Sequence, residues 1–177
     1  MKIGMLLIFT VLNLSCLAQG EAQSETATSD VEFIKKEVRH ELRMLPYLDV
    51  FDNLAYQVDG YEVTLRGQVT RPLLKSDAER AVKRIEGVTR VNNEIEILPL
   101  SPFDDRIRLR LFHVIYGYAP LQKYALSVNK PIRIIVNKGH VDLEGVVDNE
   151  ADKNIAGIRA NGVSDVFSVR NNLQVVQ

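Results

Sequence analysis

The residues best able to ligate a metal or move a proton are His40, His113 and His140. They are scattered, with no pair at ligand spacing on one helix, and the single cysteine, Cys16, lies near the start of the chain. Structural and catalytic metal sites need closely grouped His, Cys or carboxylate ligands, so no metal is expected. Asp104 and Asp105 are adjacent acids. Neighbours on a helix do not face each other, and acids in a first turn complement the helix dipole, so capping explains them better than paired acid–base work. No glycine-rich phosphate loop, serine elbow or acid–base constellation is present. These residues point away from an enzyme, and neither a cofactor nor a small-molecule substrate is implied.

A different chemistry is concentrated around residues 106–121. Leu109, Leu111, Phe112, Ile115, Tyr116 and Tyr118 are more apolar surface than one buried helix face requires, and Arg106, Arg108 and Arg110 flank them. Apolar and aromatic residues with a basic fringe suit a helix lying on an anionic membrane. The competing account is that the extra face packs against a neighbouring unit. The candidate contacts are Arg106, Arg110, Phe112, Ile115, Tyr116 and Tyr118, and the expected partner is an anionic phospholipid surface or an envelope protein.

Composition sets the frame for these residues. A chain of 177 residues with 46% hydrophobic and 25% charged content folds, because disorder needs far fewer apolar residues. Its formal net charge of -1 lacks the basic excess that phosphate neutralisation demands, so no nucleic-acid partner is expected. Lys2, the apolar run Ile3–Leu17, and Ala18 and Gly20 at signal-peptidase spacing read as a signal peptide over residues 1–20, with cleavage after Ala22 the neighbouring option. The run is shorter than a comfortable span of about 20 residues. Cys16 offers a lipidation site beside the small Ser15, although Asn13 and Leu14 depart from a lipoprotein signal, so ordinary cleavage is favoured. The protein is therefore expected in the periplasm or cell envelope. Residues 21–29, small, polar and unperiodic, read as a disordered leader.

The elements that position these residues come from an internal repeat. Sliding the chain on itself by 78 residues lays Val63, Leu65, Gly67 and Val69 on Val141, Leu143, Gly145 and Val147 without a gap. Ala78 then meets Ala156, and Val91 and Asn93 meet Val169 and Asn171. Each half predicts a helix, a hairpin, a second helix and a last strand. Val31, Ile34, Val38 and Leu42 share one helical face, capped by Ser29 or Asp30. Their counterparts Leu109, Phe112 and Tyr116 follow a cap at Ser101, with Pro102 first and Asp104 three residues after the cap. Strands follow at Leu54–Val58 and Ile132–Val136, then turns at Asp59-Gly60 and Asn137-Lys138-Gly139. Second helices and strands from Val91 and Val169 complete each unit. The expected class is α+β, two tandem α-β-β-α-β modules, each with two helices on a three-stranded mixed sheet. The modules span 30–98 and 104–177, joined by a proline-rich linker over 99–103.

The succession Val63, Leu65, Gly67, Val69, Ala78, Gly87, Val88, Val91, Asn93 and Ile95 resembles the BON domain, and the second unit repeats it from Val141 to Leu173. One departure is Asp165 where the glycine equivalent to Gly87 would stand, a residue that tolerates left-handed backbone better than most. The resemblance implies structural roles for Gly67, Gly87 and Gly145. It also implies an envelope-associated module that binds phospholipid surfaces, with a part in envelope integrity or osmotic stress tolerance. A protein-interaction or scaffold module without lipid binding is the alternative.

Overall fold

The computed structural model describes residues 18–127 and 130–176, with side chains from residue 29 onward. The apolar start of the chain and Cys16 lie outside the described residues. The first unit runs α1 (Ala18–Arg43), β1 (Asn53–Asp59), β2 (Glu62–Val69), α2 (Pro72–Val82), β3 (Arg90–Asn93) and β4 (Glu96–Ile97). The second runs α3 (Pro102–Tyr116), a 3-10 helix over Ala119–Ala125, β5 (Ile132–Asn137), β6 (His140–Val147), α4 (Glu150–Asn161), β7 (Ser168–Asn171) and β8 (Gln174–Val175). The α-β-β-α-β order holds in both.

Each sheet is mixed. β1 pairs antiparallel with β2, and β3 and β4 add parallel to β2. β5 to β8 repeat the pattern. The predicted single last strand is broken in two by a residue doing one job in both copies. The Asn93 side chain donates to the Lys75 carbonyl at 2.9 Å and accepts from the Ile95 amide. Asn171 does the same with Lys153 and Leu173. This bulge turns Ile95 and Leu173 into the core, each only 1% exposed.

Gly67 and Gly145 both adopt φ +116, and a Cβ there would run into the carbonyl oxygens of Asn53 and Pro131. Gly87 has φ +87 and Asp165 φ +72, so the aspartate takes the left-handed turn its position demands.

Three expectations need correction. The leader over 21–29 is helical, and Ser29 and Asp30 lie inside α1 rather than capping it. Glu, Ala and Gln in that stretch are good helix formers and no proline interrupts them, so polarity alone did not end the helix. The linker is shorter than 99–103, because α3 begins at Pro102, where the Ser101 hydroxyl accepts from the Asp104 amide. Finally, of the stripe Leu109–Phe112–Tyr116, α3 fully buries only Tyr116. It buries Ile107, Leu111, Ile115 and Tyr116, while Leu109 is 56% exposed. Two stripes at helical spacing were available, and periodicity does not choose between them.

The units pack through the segment before β1. Val50 is buried in the second unit's core, and its carbonyl accepts from the Ile134 amide at 2.9 Å. Phe51 meets Phe112 edge to face, with centroids 6.4 Å apart. One chain segment thus covers part of the free edge of β5.

Candidate functional site

The core divides the residues the sequence grouped together. Ile115 and Tyr116 are buried, and the Tyr116 hydroxyl donates to the Ile132 carbonyl. Burial pushes that phenol well above its ordinary range. These two are core residues and not surface contacts. Phe112 is half-buried against Phe51 and Tyr116, so the packing account of the extra α3 face holds for it. Tyr118 lies past the far end of α3, 36% exposed, with the Arg159 guanidinium 4.6 Å from its ring centre. Arg106 and Arg110 remain on the exposed face. Arg110, however, pairs with Asp165 at 2.6 Å, which balances its charge.

Around Arg106 the fold assembles residues the sequence reading left out. Its guanidinium lies 6.0 Å from the centre of the Phe103 ring. Phe103 in turn lies 6.1 Å from Phe167, and Phe167 lies 5.9 Å from the His140 ring. Phe167, in the turn between α4 and β7, is 68% exposed. It lies across the β5–β6 turn, where a Cβ on Gly139 would stand 2.7 Å from the Phe167 ring. Lys138 is exposed at the tip of that turn.

The positioning group is Asp104. Its carboxylate is 1% exposed and accepts from the Lys138 and Gly139 amides at 2.9 and 2.8 Å. Arg108 adds a second tie, donating to the Val136 carbonyl at 2.7 Å and to Asp105 at 2.6 Å. The start of α3 is thereby fastened to the hairpin turn, holding Lys138 in left-handed backbone at φ +52 beside Phe167. Asp104→Ala would strand two turn amides, each unsatisfied donor costing about 1–3 kcal/mol. Chemical denaturation of that variant should show a loss of about 3 kcal/mol, and a loss below about 1 kcal/mol would mean the clamp is unimportant.

The rim therefore presents the exposed Phe167 with two exposed cations near it in the fold, Arg106 over the adjoining Phe103 ring and Lys138 next to Gly139, neither of which joins an ion pair among the described residues. Such a surface can insert an aromatic ring into an apolar layer while its cations meet anions at the layer's edge. The signal that would have found Phe167 was a difference between the repeats, since it stands where the first unit has Thr89.

Comparison with known proteins agrees with this architecture. The BON domain pattern matches residues 30–99 and 121–177, leaving α3 between the matched segments. No curated protein matches the chain in sequence. Two similar solved structures are of CdsD, a structural protein of the type III secretion system of Chlamydia trachomatis. The one of its C-terminal domain has 12% identity and a TM-score of 0.29, covering 80% of this chain and 96% of that one. The other has 11% identity and the same TM-score of 0.29, covering 81% and 92%. BON domains are non-catalytic binding modules with membrane- and envelope-associated roles. With the motif present twice, in register, on two copies of one α-β-β-α-β fold, this chain belongs to the BON domain family.

Proposed function

We propose that this protein is an exported envelope component whose second module rests on anionic phospholipid surfaces through the rim at Phe103, Arg106, Lys138 and Phe167, and so supports envelope integrity under osmotic stress. The observation that carries this reading is the exposed Phe167 packed over the Gly139 turn beside Phe103, with Arg106 over Phe103 and the exposed Lys138 at that turn both without ion-pair partners among the described residues. Among those residues no helix is long and apolar enough to cross a membrane, so attachment through them would be peripheral.

The magnitudes indicate reversible binding. Burying one phenylalanine side chain contributes about 1.5–3 kcal/mol. Each cation near an anionic surface adds about 1 kcal/mol. The total, about 3.5–5 kcal/mol, corresponds to affinity on the order of millimolar. Were the lipoprotein route taken at Cys16 in place of cleavage after Gly20, its acyl chain would be the second signal that makes attachment stable.

The test is co-sedimentation of the mature chain with anionic and with zwitterionic vesicles at low and moderate salt. Salt-sensitive binding to the anionic vesicles alone is expected, and absence of binding to both would overturn the reading. Arg106→Glu combined with Arg110→Glu should weaken binding, and Arg106→Glu alone should account for most of the loss, because Asp165 already balances Arg110. Unchanged binding by the double variant would remove α3 from the site.

One observation favours a second reading, a scaffold that docks an envelope protein. The edge of β5 already donates a backbone hydrogen bond to the turn at Val50, so this sheet edge does take contact from additional chain. Capture of one defined envelope protein without vesicle binding would support that alternative.

A further inference from the structure

At the end of β5 opposite Lys138, a cleft of about 130 Å³ gathers three arginines from both units: Arg39 and Arg43 of α1, and Arg133 of β5. None of the three joins an ion pair among the described residues. Their hydrogen bonds are few. Arg39 donates to the Tyr56 hydroxyl at 3.3 Å, and Arg133 to the Asp49 carbonyl at 2.8 Å. The one carboxylate lining the cleft, Asp52, is 1% exposed and committed elsewhere. It accepts from the Thr70 amide and hydroxyl and from the Asp49 amide.

Such an arrangement is unfavourable as it stands. Arg39 and Arg43 are four residues apart on one helix, a like-charge spacing that destabilises. Arg133 is brought in from the other unit. Burial disfavours its charge and Arg43 adds to that, against the pull of Tyr116, Asp52 and Asp49, yet an arginine does not discharge in a protein. Three cations against Asp52 and the nearby Asp49 still leave a positive excess that a bound anion would relieve. Guanidinium groups present planar forks of donors that match tetrahedral oxyanions.

We propose that this cleft is a seat for a phosphate-type oxyanion, held by Arg39, Arg43 and Arg133, which fastens the two units together. The seat lies along β5 from the Phe167 rim and does not depend on the membrane reading. The bland alternative is that Arg43 merely complements the α1 dipole at its C-terminal end. The two accounts differ in sign for the same variant.

The experiment is thermal unfolding of the mature chain in millimolar inorganic phosphate, against chloride at matched ionic strength. A second arm uses a water-soluble short-chain phosphatidylglycerol below its micelle concentration, separating a headgroup from a free ion. Ligand that binds only the folded state must raise its melting temperature. Phosphate should raise the melting temperature of the wild type, and the apparent affinity should fall at least about tenfold in Arg39→Gln/Arg43→Gln, which loses two of the three forks. Without phosphate, that variant should melt at or above the wild type, because like-charge repulsion is relieved. A larger shift with the short-chain lipid than with phosphate assigns the seat to a headgroup. Equal shifts in wild type and variant, no shift with either ligand, or a variant that melts lower and keeps its phosphate response would overturn the proposal.

Discussion

Gly145→Ala should destabilise the second unit by about 3 kcal/mol, read as a lower midpoint in urea with an unchanged slope. Two effects combine. At φ +116 an alanine sits in backbone that only glycine adopts comfortably, which costs about 1–3 kcal/mol. Its Cβ would also meet the Pro131 carbonyl oxygen, part of the backbone leading into β5 and unable to step aside as a flexible side chain could. Gly67→Ala should do the same in the first unit, where Asn53 supplies the obstructing carbonyl. Gly60→Ala is the control. Its φ is also positive, +57, but nothing lies within 4 Å of the added carbon. It should cost only about 1–2 kcal/mol. Equal losses at Gly60 and Gly145 would show that backbone conformation, and not the close approach of β5, explains the motif glycine.

The second large effect is expected on binding. Arg106→Glu with Lys138→Glu reverses both unpaired cations of the rim. At about 1 kcal/mol each, loss of the attraction alone weakens association with anionic vesicles by about 30-fold, and repulsion from the new carboxylates adds to that. Both side chains are exposed, so the melting temperature should hardly move. The salt dependence should also reverse, because screening now acts on repulsion from the two new carboxylates and not on attraction. A variant that binds as tightly as the wild type, or that loses zwitterionic and anionic binding equally, would contradict an electrostatic role for the rim.

Local patterns in the sequence carried most of the fold. Alternation at Val63, Leu65, Val141 and Leu143 placed the central strands, and these residues are fully buried. The Ser101 cap and the left-handed Asp165 were legible because each depends on a few neighbouring residues. Features set by distant contacts were not. Asp104 read as a first-turn acid, yet its carboxylate holds amides 34 and 35 residues away. Val50 gave no sign that it would be buried in the other unit's core. The candidate site was missed in part for a related reason. α3 is apolar on more than one side, and only its packing on β5 decides that Ile115 and Tyr116 go inward while Arg106 stays out. Phe167 belonged to a turn with no pattern of its own, and only its departure from Thr89 marked it.

The most direct test places a reporter at the tip of the rim. The chain contains no tryptophan, so Phe167→Trp introduces a single indole at an exposed ring position, and Tyr118→Trp introduces one beyond the opposite end of α3. With anionic vesicles carrying brominated acyl chains, the emission of the Phe167→Trp variant should shift to the blue and be quenched, while that of the Tyr118→Trp variant should change little. Quenching in the Tyr118→Trp variant but not in Phe167→Trp, or in neither while the protein still sediments with the vesicles, would contradict membrane contact through this rim.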